Sequence, residues 1–431
     1  MKKICSFIAA IMLSMPFMAQ EAEIIEIIKS GWNFGPLPVV GFDSDLGFQY
    51  GVCCDIFNYG DGTNYPQYDY KINVEASTYT KGSSILRTYG DFKTLIPDGK
   101  LFFDITYFNA PKFGFYGFNG FAQKYDPDQL AWTPGATPQS DAKSGYNFMS
   151  RNQFRALVSV RKTLADNLSA AAGVAFYHIT TDRLNLKDYD GQSTLYDEYL
   201  AKGLIRSDEK DGGNVTQLRA GLVYDSRNHD SDPTRGENVE ASLVYSPDLI
   251  DGRGYSNLGF HLSMSQFMSA YNDRITFAYR ALVQANLWGD IPYYFTNNIN
   301  SMFFRKMYTE GLGGNASVRG LNRNGVLGNG FLMLNVELRW RIYDFKFINQ
   351  NWQIATNPFF DAGKILQPYR LDEQKEAGMY NGDEYAPHYT AGLGIKLVMN
   401  HNMVVSFEGG KPFSKNDGKG LWTNFGFNYL F

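Results

Sequence analysis

The chain of 431 residues carries five histidines and three cysteines, the side chains best suited to catalysis or metal binding. His178, His229, His261, His388 and His401 stand in none of the spacings that pair a base with a nucleophile or two imidazoles with a metal. Asp225, His229 and Asp230 are near neighbours of the kind that could exchange protons. They fall in YDSRNHDSDPTRG, residues 224–236, whose Asn, Asp, Ser, Pro and Gly make a solvated turn. Cys53 and Cys54 are adjacent. Neighbouring strand residues point to opposite faces, so this pair reads as two strand positions rather than a disulfide, redox or metal pair. No catalysis, metal or cofactor is expected. The chemistry that remains is electrostatic. The stretch 311–330, GLGGNASVRGLNRNGVLGNG, holds seven glycines and two arginines, and the acids Glu337 and Asp361 follow it.

The segments around those acids alternate. In 332–342 one face is Leu332, Leu334, Val336, Leu338, Trp340 and Ile342, and the other carries Asn335, Glu337, Arg339 and Arg341. In 275–287 one face is apolar throughout, while Arg274, Thr276, Arg280, Gln284 and Asn286 share the other. Such alternation marks strands with one apolar face. Their lengths, about 9–15 residues, suit a tilted membrane-crossing strand better than the usual ~5–6. Sixteen are expected, starting near Val39, Leu46, Tyr68, Ser83, Lys100, Ser150, Asp166, Asn214, Glu237, Gly254, Asp273, Phe331, Asn351, His388, Asn402 and Leu421. Connections after even-numbered strands are short or intermediate. Every long one, 110–148, 181–213, 289–330 and 363–387, follows an odd-numbered strand. Short turns at one end and long loops at the other are how outer-membrane barrels are built.

Composition points the same way. Aromatics reach 16%, charged residues only 19%, and glycines number 43. A transmembrane barrel gives this mixture, because apolar outward residues alternate with polar inward ones. The net charge of −4 offers no footprint for nucleic acid. The expected fold is all-β: a 16-stranded antiparallel transmembrane β-barrel with a lumen-inserted loop. Residues 1–19, two lysines and then an apolar run, read as a signal peptide. Residues 20–38 read as a short periplasmic segment and 39–431 as the barrel. On this frame Asp361 and Glu337 face the lumen from adjacent strands. Two carboxylates there repel unless a cation lies between them, and Arg319 is expected to reach inward and pair with both. The lumen is expected to carry Arg274, Arg280, Arg339 and Arg341 as well.

Three segments resemble one family. Gly313-Gly314, Val318-Arg319-Gly320 and the following Glu337-Leu338-Arg339 look like the signature of the BamA/TamA (Omp-eighty-five, bacterial surface antigen) superfamily of outer-membrane barrels. Tyr224-Asp225-Ser226-Arg227 with Pro233-Thr234-Arg235-Gly236 resembles its turn after strand eight. Phe359-Phe360-Asp361-Ala362-Gly363 resembles its strand thirteen. The likeness covers the last half of the chain well and the first half with less specificity, through 113–118. Leu321 stands where the family usually has Phe or Tyr. The resemblance implies a loop folded into the lumen. It also implies a role in assembling, inserting or translocating proteins, or lipids, at the outer membrane. The implied partners are outer-membrane lipid, the assembly machinery for the barrel's own insertion, and periplasmic or membrane proteins. Residues 20–38 are too short for the POTRA domains that such barrels carry, so a POTRA-less member is expected. The closing TNFGFNYLF, with Phe425, Phe427, Tyr429 and Phe431 on one face, resembles the family's C-terminal sorting strand. Pro36 and Pro38 are expected just before the first strand, at a poorly paired seam. The alternative reading is a diffusion channel or structural barrel.

Overall fold

The computed structural model describes residues 27–120, 145–185, 193–301, 311–380, 386–414, 417, 421–427 and 429–431. The expected signal peptide lies outside them. Among the described residues no POTRA domain precedes the barrel.

The chain forms one closed barrel of sixteen strands. The first eight are β1 (Trp32–Asp43), β2 (Gly47–Asn58), β3 (Tyr70–Tyr79), β4 (Ser84–Phe92), β5 (Gly99–Gly114), β6 (Phe148–Ala165), β7 (Leu168–Asp182) and β8 (Gly212–Asp225). The second eight are β9 (Gly236–Ser246), β10 (Asn257–Ala270), β11 (Ile275–Gly289), β12 (Gly330–Phe347), β13 (Gln350–Gln367), β14 (His388–Met399), β15 (Met403–Pro412) and β16 (Trp422–Phe427). Each strand pairs antiparallel with its sequence neighbours. Alternation sets the radial direction. On β12, Leu332, Leu334 and Leu338 are exposed, while Met333, Asn335, Glu337 and Arg339 are buried. Apolar side chains thus face outward and polar ones face in, as a bilayer requires.

Every strand after the first begins within three residues of its expected start. β1 does not: it begins at Trp32, not Val39. Pro36 and Pro38 lie inside it rather than before it. The reason is which way the backbone points. Gly31 N donates to Gly60 O on the β2 side, and Ser44 N donates to Thr423 O on the β16 side. Direction alternates along a strand, so the even-numbered positions face β16. Proline is tolerated on an edge turned away from its paired neighbour. β1 accordingly pairs with β2 from Trp32↔Asn58 to Asp43↔Gly47, but with β16 only at Phe42↔Phe425 and Asp43↔Asn424.

The far end of the chain also departs from expectation. β16 stops at Phe427, whose backbone pairs with Val405. Tyr429 and Phe431 do not continue it on an outward aromatic face. They are buried inside the barrel, at 2% and 4% exposure. Arg274 and Arg341 are likewise not lumen residues: both pair with Asp344 at the short-turn rim.

The long-loop end is closed by a dome of aromatic residues. Phe118 stands edge-on to Tyr199 and Tyr369, at 5.0 and 4.8 Å between ring centroids. Tyr199 comes from helix α1 (Leu195–Ala201), which starts at a capping box between Thr194 and Asp197. At the opposite end, residues 27–31 run from β1 to the β12–β13 turn. There Ile27 N donates to Asn351 Oδ1 (3.1 Å) and Asn351 Nδ2 donates to Ile27 O (3.2 Å).

Candidate functional site in the lumen

The connection between β11 and β12 enters the barrel. Its returning limb, 311–329, is almost wholly buried. Leu312 and Val326 exchange backbone hydrogen bonds at 3.2 and 3.1 Å, and Gly314 N donates to Leu321 O at 3.0 Å. The limb is therefore a tight hairpin-like tip. Ser317 Oγ braces it, accepting from Gly313 N (2.9 Å) and donating to Gly311 O (2.7 Å). Gly313 has φ of +125°, and a Cβ there would stand 2.0 Å from Asn322 O. Only glycine fits. Leu312, Val318, Leu321 and Val326 pack with Phe331, Met333 and Ile365 of the wall.

That packing delivers Arg319 to the acids. Its Nε and Nη2 donate to the two oxygens of Asp361 at 2.8 and 2.9 Å, and its backbone N adds a third bond at 3.0 Å. Nη1 donates to Glu337 at 2.6 Å and to a third acid, Glu408, at 2.7 Å. Arg319, Glu337 and Asp361 are each 0% exposed. Arg339 donates to the other oxygen of Glu337 (2.8 Å), and Lys396 donates to Glu408 (2.7 Å). Three carboxylates are thus matched by three cations. The guanidinium also lies 3.7 Å from the centre of the Phe359 ring, a stacking geometry that lysine lacks. Leu321, lacking a ring, packs in the apolar cluster instead. Gly392 makes room for Phe359: a Cβ on it would stand 2.3 Å from the ring.

Glu408 and Lys396 were not singled out from sequence, and Phe359 was read only as part of the strand-thirteen motif, not as the ring beneath Arg319. A signal exists for the two charged residues. Each sits between outward apolar neighbours, Glu408 after Phe407 and Lys396 after Ile395. Val318, Gly313, Gly314 and Gly320 all lie in the tip. Gly320, at φ +98°, lets the backbone pass Thr390. The second loop arginine, Arg323, reaches the seam: Nη2 donates to Asp43 of β1 at 2.5 Å, and its backbone N donates to Asp45 at 2.8 Å. Asn315 Nδ2 donates to Asn424 of β16 at 3.1 Å. One loop therefore holds both strands of the seam. Asp225, His229 and Asp230 lie in the β8–β9 turn. Arg227 ties Asp225 (2.8 Å) to Asp230, Lys93 pairs with Asp230, and His229 stacks on His401 at 5.0 Å.

A loop tip locked by a buried arginine to acids on two adjacent wall strands is a specific arrangement. Residues 70–429 match the Omp85 superfamily domain. The chain belongs to the Omp85 superfamily. Solved structures share the Omp85 fold at low identity. BamA from Haemophilus ducreyi, lacking POTRA domains 1–3, is 14% identical with a TM-score of 0.53. CdiB from Escherichia coli is 11% identical with a TM-score of 0.55. Each comparison covers 93% of this chain, but 71% of that BamA chain and 63% of CdiB. This chain therefore spans less than two thirds of the length of CdiB. No curated protein sequence matches it.

The anchor of the Omp85 loop on the seam is sensitive to pH. Burial, and then the neighbouring Asp43 carboxylate, push the Asp45 carboxyl up from 3.8 to about 6, against the pull of Arg323. Between those values the folded state binds more protons than the unfolded state, so its stability falls as pH rises. Protease protection of the 311–329 loop is expected to increase as pH drops from 7.5 to 5. In Asp45→Asn that increment should vanish. An identical pH profile for the two proteins would exclude Asp45 as its source.

Proposed function

We propose that this barrel resides in a Gram-negative-type outer membrane. There it assists the insertion or translocation of polypeptides, which leave sideways between β1 and β16. The observation that carries this reading is the seam. β1 is hydrogen-bonded to β2 along its length, yet it meets β16 over two residue pairs. A barrel that only needed to be stable would close every ladder, because unpaired backbone in a bilayer costs several kcal/mol per group. Among the described residues the lumen offers no comparable straight route. The tip 311–329 fills one side and the aromatic dome covers the long-loop end. That argues against the diffusion-channel reading, in which a 16-strand barrel keeps an aqueous bore. Partners from the periplasm or the membrane would deliver the polypeptide to the barrel.

The test is a lock across the seam. Phe42 and Phe425 are opposite one another in the register. With Phe42→Cys and Phe425→Cys oxidised to a disulfide, the barrel should lose its ability to speed the folding of a urea-unfolded outer-membrane barrel into liposomes. Reductant should restore it. If the oxidised and reduced forms work equally well, polypeptides do not pass through this seam.

A further inference from the structure

The two ends of the seam are held in different ways. At the long-loop end β1 is tied to β16 directly. Phe42↔Phe425 and Asp43↔Asn424 are ladder pairs, Ser44 N donates to Thr423 O at 3.1 Å, and Thr423 N donates to Ser44 Oγ at 2.8 Å. Toward the short-turn end the ladder stops. Among the described residues no pair joins Trp32–Gly41 to β16. Continued along both strands, the register would set Pro38 opposite Tyr429 and Pro36 opposite Phe431. Both prolines face β16 and neither has an N–H, so the ladder cannot resume there.

Two other ties span that gap. The first is the arm 27–31. At the foot of β1, Gly31 N donates to Gly60 O (2.8 Å) and Tyr59 N donates to Gly31 O (3.0 Å). At its far end Ile27 is held through its N and O by the Asn351 side chain, and Lys29 Nζ donates to Asn349 O at 2.8 Å. Between β13 and β1 the barrel order places β14, β15 and β16 one way and β2 to β12 the other. Five residues reach at most ~18 Å, so the arm runs the short way, under the seam. Gly62 seats it: φ is +89°, and a Cβ there would stand 2.9 Å from Lys29 O. The second tie is Asn402, just after the β14–β15 turn. Its Nδ2 donates to Tyr59 Oη (3.1 Å) and to Pro66 O (2.9 Å), both in the connection from β2 to β3. Asn400 N of the same turn donates to Asn351 O at 2.9 Å, so the two ties share a foundation. Asn351, Lys29 and Asn402 act here through side chains. Both ties can part while every ladder stays closed.

We propose that residues 27–31 and Asn402 form a latch across the short-turn end of the seam. Closed, it bars the gap from below. Released, it lets β1 swing away from β15 about the tied long-loop end. The latch stands on this geometry; its release when the barrel admits a polypeptide rests on the function proposed above.

Pulsed electron paramagnetic resonance in nanodiscs tests the latch, with the native cysteines replaced by serine. One spin-label pair, Phe34→Cys with Val405→Cys, sits on the third residues of β1 and β15, near the short-turn end. The other, Phe48→Cys with Leu421→Cys, sits at exposed positions near the long-loop end. Asn351→Ala and Asn402→Ala are added singly and together, and whichever variants show heat-modifiable migration are read. The population at longer distances is expected to rise about tenfold for the first pair, since several hydrogen bonds are lost, and to stay unchanged for the second. No change in the first pair, or equal lengthening of both, overturns the latch. Release is tested by bridging Ile27→Cys to Asn351→Cys with a short bis-methanethiosulfonate. The bridged barrel should fail to speed client folding in liposomes, and reductant should restore it. Equal activity before and after reduction overturns release alone. If the Phe42–Phe425 lock leaves client folding untouched while the distances shift as expected, the latch stands and the functional reading falls.

Discussion

Replacing Arg319 with alanine is expected to release the 311–329 tip while the sixteen strands stay folded. Arg319 is wholly buried and bonds to Asp361, Glu337 and Glu408. Its removal leaves three carboxylates facing Arg339 and Lys396 alone, with both oxygens of Asp361 deprived of their guanidinium donors. A buried pair broken on one side costs about 3–5 kcal/mol, mostly as uncompensated charge. That exceeds what any single contact of the tip returns, so the tip should leave. The barrel should not, because its ladders do not run through the tip. Limited proteolysis should cut Arg319→Ala within 311–329, while unboiled samples still migrate as a compact barrel. Arg319→Lys should fall between alanine and wild type. Lysine restores a charge, but not the fork on Asp361 or the stacking on Phe359. Full protection of the alanine variant would mean that the apolar cluster alone holds the tip.

The barrel and the acids on its wall were legible in the sequence because both depend on a period of two. Glu337 lies between Val336 and Leu338, and Asp361 between Phe360 and Ala362, so inward direction follows without any structure. Glu408 belongs to the same site but was not legible as a partner of Arg319. It lies on β15, three strands from β12, and only the path of the loop through the lumen brings it within reach. The tail failed for a different reason. NFGFNYLF keeps alternating to its last residue, and nothing local says that the strand has stopped. What stops it is Pro36 and Pro38, almost the whole chain away, at positions that sequence alone placed outside β1. Alternation records which way a side chain points. It does not record whether the neighbouring strand has a donor to offer.

Removing the tip should convert the barrel into a pore. Sixteen-stranded barrels are wide enough to hold an aqueous channel unless something fills them. Here the filling is the tip, and the dome rests on it. Asn119 N donates to Leu327 O at 2.8 Å, and Asn297 Nδ2 donates to Asn324 Oδ1 at 3.1 Å. Val326 stands so close to Gly120 that a Cβ there would meet it at 2.9 Å. Deleting Gly314–Gly328 takes away Leu327 O, the acceptor of the Asn119 backbone N–H, and Asn324, the partner of Asn297. It also removes Val318, Leu321 and Val326 from the apolar cluster, so the dome loses its floor as the lumen loses its plug. In planar bilayers the intact protein is expected to show small, brief openings. The deletion should give steady conductance larger by roughly an order of magnitude, as an emptied 16-strand bore predicts. Arg319→Ala separates two mechanisms. If the tip leaves whenever its charge lock is broken, that variant should flicker between the two levels, with long openings favoured as salt is raised to screen the remaining charges. If the intact barrel already conducts steadily at the level of the deletion, the tip does not close the lumen, and the diffusion-channel reading replaces the one proposed here.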